Sequence, residues 1–140
     1  MSTSYAKAHW SGTLKDGDGK MNFTGYEGPF NFRSRFEDGP ETNPEELAGA
    51  AHAGCYSMFL SALIGKENLE AKSIDTKATV VLGDDNGPKI TSITLDCEAD
   101  VPGLSEEKFA ELAAAAKEKC PISRLFAGGT EITLNAKLSS

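Results

Sequence analysis

The side chains in this sequence best suited to chemistry are the thiols of Cys55 and Cys120 and the guanidinium of Arg35. The thiolate, not the thiol, is the reactive species, and at neutral pH it needs a nearby cation. Arginine suits that task because it never deprotonates and offers several donors. Cys55 sits in the middle of NPEELAGAAHAGCYSMFLSALIGKEN (43–68), where from Leu47 to Ile64 only His52 is able to carry charge. Free cysteine is also among the most buried residue types, so a packing role for Cys55 stands beside the nucleophilic one. Cys120 stands before Pro121, at or beside the end of a second helical segment. The third thiol, Cys97, falls on the apolar side of an alternating stretch and reads as a packed strand residue. His52 lies one helical turn before Cys55, where the helix backbone limits its approach to the thiol, so it is a poor general base. There is no CxxC, HExxH or Cys/His cluster at zinc spacing, and no GxSxG, P-loop or GxGxxG. Neither a metal nor an organic cofactor is expected.

Composition narrows the partners. The 140 residues are 39% hydrophobic and 25% charged, which suits one soluble domain over residues 1–140 with room for a sizeable core. A net charge of −7 and a pI near 4.8 argue against nucleic acid or an anionic membrane, since both call for a basic surface. MSTSYAKAHW has no apolar core and is no signal peptide. Three cysteines without an export signal do not make a disulfide scaffold, and the expected compartment is the cytoplasm.

The elements that must position these groups follow from periodicity. Asn43 can cap a helix, Pro44 suits its first turn, and Glu45 and Glu46 fall where the helix dipole favours acids. A helix apolar on all sides must be enclosed. Its uncharged run approaches the length of a membrane span, but a run dominated by Ala, Gly and Ser, with His52 inside it, gains little from lipid. Before it, Tyr5–Gly12 and Lys20–Thr24 read as a hairpin across LKDGDGK. Phe30–Phe36 reads as a third strand, with Phe30, Phe32, Ser34 and Phe36 on one face and Asn31, Arg33 and Arg35 on the other. After it come an antiparallel pair, Ile74–Leu82 and Lys89–Val101, then a helix Glu106–Lys119 capped by Ser105 with Phe109, Leu112, Ala113 and Ala116 as its apolar stripe. A short turn at 121–126 and a last strand, Thr130–Leu138, complete the chain. This order predicts an α+β fold with largely antiparallel sheets wrapped around a buried central helix.

The segment RFEDGPETNPEELAGAAHAGCYSMFLSALIG and the later KCPIS, with AHWSGTLKDGDG, SIDTKATVVL, VPGLS and TEITLNAKL, resemble the OsmC/Ohr family (osmotically inducible protein C and organic hydroperoxide resistance). The resemblance covers essentially the whole chain and is strongest to the OsmC subfamily. It implies an intertwined homodimer with thiol peroxidase activity on organic hydroperoxides and, more weakly, hydrogen peroxide. By resemblance, Cys55 is the peroxidatic cysteine and Cys120 the resolving one. Arg35 matches the catalytic arginine and Glu45 the glutamate that holds it, while Gly54, Tyr56 and Phe59 shape the pocket. The expected reductant is an external dithiol, such as a lipoyl protein. Glu45 and Cys55 are about 15 Å apart along a continuous helix, so contact between their sites calls for a partner subunit or for Arg35 as a bridge. Two other classes stay open. One is a non-catalytic module lining an apolar ligand pocket with the same helix; the other is an acyl-transfer or hydrolase enzyme using His52 as base.

Overall fold

The computed structural model describes residues 1–139. Its elements run β1 (Lys7–Ser11), β2 (Asp18–Phe23), β3 (Tyr26–Phe30), α1 (Phe32–Phe36), α2 (Pro44–Lys66), β4 (Ser73–Asp84), β5 (Pro88–Asp100), α3 (Glu106–Lys119), α4 (Pro121–Phe126) and β6 (Glu131–Leu138). The α+β class is as the periodicity predicts. The chain divides into two compact units, Met1–Leu47 and Ala48 to the C-terminus.

The N-terminal unit is an antiparallel meander in the order β1-β2-β3. Gly19 on β2 faces Trp10 and Phe30, whose rings lie 5.4 Å apart, and a Cβ there would come within 2.8 Å of both rings. A side chain would therefore break the stack. The expected strand over Phe30–Phe36 is corrected: β3 ends at Phe30 and residues 32–36 form the short helix α1. Asn31 caps it. Its side chain accepts from the Ser34 N–H at 2.9 Å while the Ser34 hydroxyl accepts from the Asn31 N–H at 2.9 Å, a reciprocal box that satisfies two donors. Period-two alternation of Phe30, Phe32 and Phe36 suggests a strand, yet helical spacing serves Phe32 and Phe36 as well, with ring centroids 5.1 Å apart. The cap decides between the two readings.

Asn43 begins α2 as expected. Its side chain accepts from the Glu46 N–H at 2.7 Å and donates to the Ser34 carbonyl at 2.8 Å, tying the start of α2 to α1.

In the C-terminal unit β4 and β5 form a long antiparallel hairpin through Asn86 and Gly87, both at positive φ. The second pairing departs from the antiparallel expectation, because β6 runs parallel to β5. A crossover explains it: α3 and α4 lie between the two strands and carry the chain back to the end where β5 began. Along β5, Ile93, Leu95, Cys97 and Ala99 are buried while Asp96 and Glu98 are exposed, the alternation of a sheet with one face on the core. That face packs in one cluster with Tyr56, Leu60 and Ile64 of α2 and Phe109, Leu112, Ala113 and Ala116 of α3. Burial of a Leu or Ile side chain contributes about 1.5–3 kcal/mol, so this cluster is the main source of cohesion in the unit.

The expectation of a fully enclosed helix holds for one face of α2. Gly49, His52, Tyr56, Leu60 and Ile64 form its buried stripe, while Ala50, Ala51, Gly54, Met58, Ser61 and Ala62 are exposed in the single chain. By length and composition α2 is apolar enough to cross a bilayer, with 28% of its most apolar window buried.

Candidate active site

Two polar pairs contain the four residues singled out from the sequence, one pair in each unit. In the N-terminal unit, the capped start of α1 directs Arg35 toward the start of α2. The Arg35 Nε–H donates to Glu45 Oε1 at 3.0 Å. The Arg35 side chain is 40% exposed and that of Glu45 only 10%. Glu45 Oε2 is buried without a hydrogen-bond partner, and no hydrogen bond among the described residues engages the Nη groups of Arg35. A carboxylate fixed on Nε orients the guanidinium and leaves its fork open to an anionic or polarised oxygen. Arg35 also lines an apolar pocket of about 340 Å³ with Trp10, Leu14, Phe30, Phe32 and Phe36.

In the C-terminal unit, Cys120 Sγ lies 2.8 Å from Cys55 Sγ, within ~1 Å of a bonded sulfur separation. Both are free thiols; Cys120 is fully buried and Cys55 partly so. Cys120 occupies a corner. Its N–H donates to the Ala116 carbonyl as the C-cap of α3, and its own carbonyl accepts from the Arg124 N–H as the N-cap of α4. Pro121 at the first position of α4 lacks the N–H that would otherwise be orphaned there. Burial first, and then the hydrogen bond with Cys120, push the Cys55 thiol above its ordinary value, while the Ile122 backbone N–H pulls the other way. Ionising Cys55 in these surroundings calls for a cation.

His52 does not serve Cys55. Its Nε2 is 2.7 Å from Ser123 Oγ, its Nδ1 is buried without a partner, and burial lowers its pKa. A hydrolase built on Cys55 and His52 lacks its essential hydrogen bond. Cys97 is buried, and burial raises its thiol above the ordinary value. Of the milder pocket expectations, Gly54 is exposed, Phe59 half-buried and Tyr56 fully buried. Among the described residues no group of three or more His, Cys, Asp or Glu side chains converges as a metal site. The His52–Ser123 contact and the Ile122 N–H were not anticipated. The signal for the former is the matched spacing of three in His52/Cys55 and Cys120/Ser123.

The profile of the OsmC-like protein family matches residues 37–135. Over 138 residues the chain is 42% identical to the peroxiredoxin OsmC of Escherichia coli (strain K12), covering 96% of this chain and 95% of that protein. It is 31% identical over 97 residues to the organic hydroperoxide resistance protein OhrB of Bacillus subtilis (strain 168), covering 69% of this chain and 70% of that one. An OsmC-like protein from Mycoplasma pneumoniae superposes with a TM-score of 0.79 over 99% of both chains at 14% identity, a likeness of fold. Family profile and near-full-length identity agree, and this chain belongs to the OsmC family.

Proposed function

We propose that this chain is a thiol-dependent peroxidase that reduces organic hydroperoxides, and hydrogen peroxide more weakly, in defence against oxidative and osmotic stress. The chain is a peroxidase-class enzyme by its relatives, which carry the names peroxiredoxin and organic hydroperoxide resistance protein. The observation that carries the mechanism is the 2.8 Å approach of two free thiols, Cys55 and Cys120, in a chain of that family.

The Cys55 thiolate attacks the terminal oxygen of ROOH, the O–O bond breaks, and the alcohol leaves after taking up a proton. Cys55 is then a sulfenic acid. Cys120 displaces its hydroxyl as water to form the Cys55–Cys120 disulfide, which an external dithiol, such as a lipoyl protein, reduces. Arg35 supplies the cation that favours the thiolate and stabilises charge on the departing oxygen, and Glu45 orients it. No cofactor takes part.

The working form is a homodimer. The open apolar face of α2 and the exposed Trp10, Leu14 and Phe23 are surfaces that a second chain would cover. The family match crosses the boundary between the two units, which supports treating residues 1–140 as one OsmC-like domain. A cycle that rests on reduced thiols suits the cytoplasm.

One equivalent of cumene hydroperoxide added to the reduced protein tests the reading by peptide mass spectrometry. The expected product is a Cys55–Cys120 disulfide, reversed by a dithiol that also sustains peroxide consumption. Ester hydrolysis, or ligand binding with both thiols unchanged, would reject it.

A further inference from the structure

The peroxidase reading makes no use of His52 or Ser123, yet these residues lie one helical turn from the two thiols. On α2, His52 and Cys55 are three residues apart; on α4, so are Cys120, the N-cap, and Ser123. Each pair therefore shares a face of its helix. The two faces meet in register, Cys120 Sγ on Cys55 Sγ at 2.8 Å and Ser123 Oγ on His52 Nε2 at 2.7 Å. A turn further along α4, the Phe126 ring stands edge-on to the imidazole, with centroids 5.6 Å apart. His52 is 0% and Ser123 3% exposed, so neither has water to turn to if the contact is lost. Cys120 on Cys55 and Ser123 on His52 thus give the start of α4 two directional contacts with α2 one turn apart.

We propose that His52 and Ser123 are a positioning pair that holds Cys120 for attack on the Cys55 sulfenic acid, and so sets the rate of disulfide closure rather than of peroxide reduction. The inference rests on the roles assigned above to Cys55 and Cys120. In that step a bond forms between the two sulfurs, the sulfenic S–O bond breaks, and hydroxide leaves with the Cys120 proton as water. The Cys55 sulfur is reduced and the Cys120 sulfur oxidised by the same amount. His52 and Ser123 act through the placement of α4 on α2 and not on the sulfurs themselves. Slow closure leaves the sulfenic acid open to a second peroxide and to irreversible oxidation to the sulfinic acid, so the pair also protects the nucleophile.

The test separates the two steps in the reduced full-length protein. One equivalent of cumene hydroperoxide is added, samples are quenched at intervals with dimedone, and peroxide loss, Cys55 adduct and disulfide are followed by mass spectrometry. Ser123→Ala and His52→Leu are expected to consume the first equivalent within about twofold of the wild-type rate, yet close the disulfide at least about tenfold more slowly. The dimedone adduct and, with excess peroxide, Cys55 sulfinic acid should rise accordingly. Ser123→Thr keeps the hydroxyl and His52→Gln keeps a polar atom near the position of Nε2, and both should recover most of the closure rate. Ser123→Ala removes one oxygen and decides the matter if His52→Leu does not fold. Closure at the wild-type rate in Ser123→Ala would overturn the inference, as would equal slowing of both steps. If the wild-type protein itself forms no Cys55–Cys120 disulfide, the assigned roles fall first and the inference with them.

Discussion

The two units of this chain are built on opposite terms. Every buried hydrophobic side chain among the described residues lies in the C-terminal unit, between Tyr56 and Cys120. In the N-terminal unit the buried residues are Gly19, Gly28, Ser34 and Glu45, β1 is exposed throughout, and Leu14, Phe23 and Phe36 are open to solvent in the single chain. The C-terminal unit holds its thiols in or against a packed core. The N-terminal unit carries the permanent charge of Arg35 on a scaffold with little core of its own. Under the proposed mechanism the nucleophile is stored where packing fixes its geometry, and the charge that activates it is kept where water can solvate it between turnovers. The contrast teaches that a good place to hold a thiol is a poor place to ionise one.

The largest effect should come from the thiols. Cys55→Ser is expected to reduce turnover to background. Cys120→Ser should consume about one equivalent and stop at a dimedone-reactive Cys55. A Cys55–Cys97 disulfide would move the resolving role out of the corner between α3 and α4 and remove half of the contrast. Next comes the charge. Arg35→Ala should slow sulfenate formation by about 100-fold and move its rise with pH upward, because the thiolate fraction falls when the cation is lost. Arg35→Lys should recover part of this, since a point charge lacks the guanidinium fork. Arg33 forms no ion pair among the described residues, and Arg33→Ala should lose little. Equal losses at the two arginines, measured by second-order rates across pH with circular dichroism as a check on folding, would make Arg35 an ordinary surface residue.

Assembly sharpens the comparison further. Met58 is 77% exposed in the single chain, so Met58→Asp would do little to an isolated subunit. In a homodimer it should shift the sedimentation coefficient toward the monomer. The wild-type protein is expected to stay dimeric at micromolar concentration, with more than roughly 2,000 Å² buried in total. An active wild-type monomer would leave the N-terminal unit without the cover proposed for it.

His52 in the C-terminal core contributes to the pH dependence of stability. Burial holds His52 below its ordinary 6.5, so the unfolded chain takes up the proton first. His52 contributes fully to stability above about 6.5, and that contribution is lost as pH falls through the folded value. The urea midpoint should therefore drop on acidification below neutrality, less steeply in His52→Gln. A slope unchanged by that substitution would mean other groups carry it. The smallest effect is expected at Cys97, where Cys97→Ser should leave turnover near normal in a coupled peroxide assay.

Where one periodicity dominated, the fold was legible in the sequence. The helix from Glu106 to Lys119, capped by Ser105, has the bounds read from its stripe, and β5 buries the alternate residues expected of it. Phe30–Phe36 misled because its phenylalanines fit either period, and the deciding signal, Asn31 three residues before Ser34, lacks the Glu or Gln usual in such a box. The direction of β6 was hidden because periodicity is the same for both senses of pairing; the intervening helices are what set it. Spacing alone also could not say that Cys55 and Cys120 meet. Family resemblance pointed to that contact, and to the one between Arg35 and Glu45. The His52–Ser123 contact stayed hidden because each residue has an ordinary explanation until the two helices are laid together.

The corner at Cys120 would give the proposed redox cycle a direction. Hydrogen bonds to Ala116 and from Arg124 pin its backbone on both sides, and its sulfur is fully buried within a single chain. Association with a partner can only cover surface, so no assembly of intact subunits exposes it further. Cys55, by contrast, is partly open. Under the proposed mechanism, a reductant arriving at the disulfide would find the Cys55 sulfur more open to attack than that of Cys120, and exchange depends on which sulfur can be attacked. In that cycle the mixed disulfide would form on Cys55, with the electrons of the broken bond leaving on Cys120, so that every dithiol would meet a single regiochemistry.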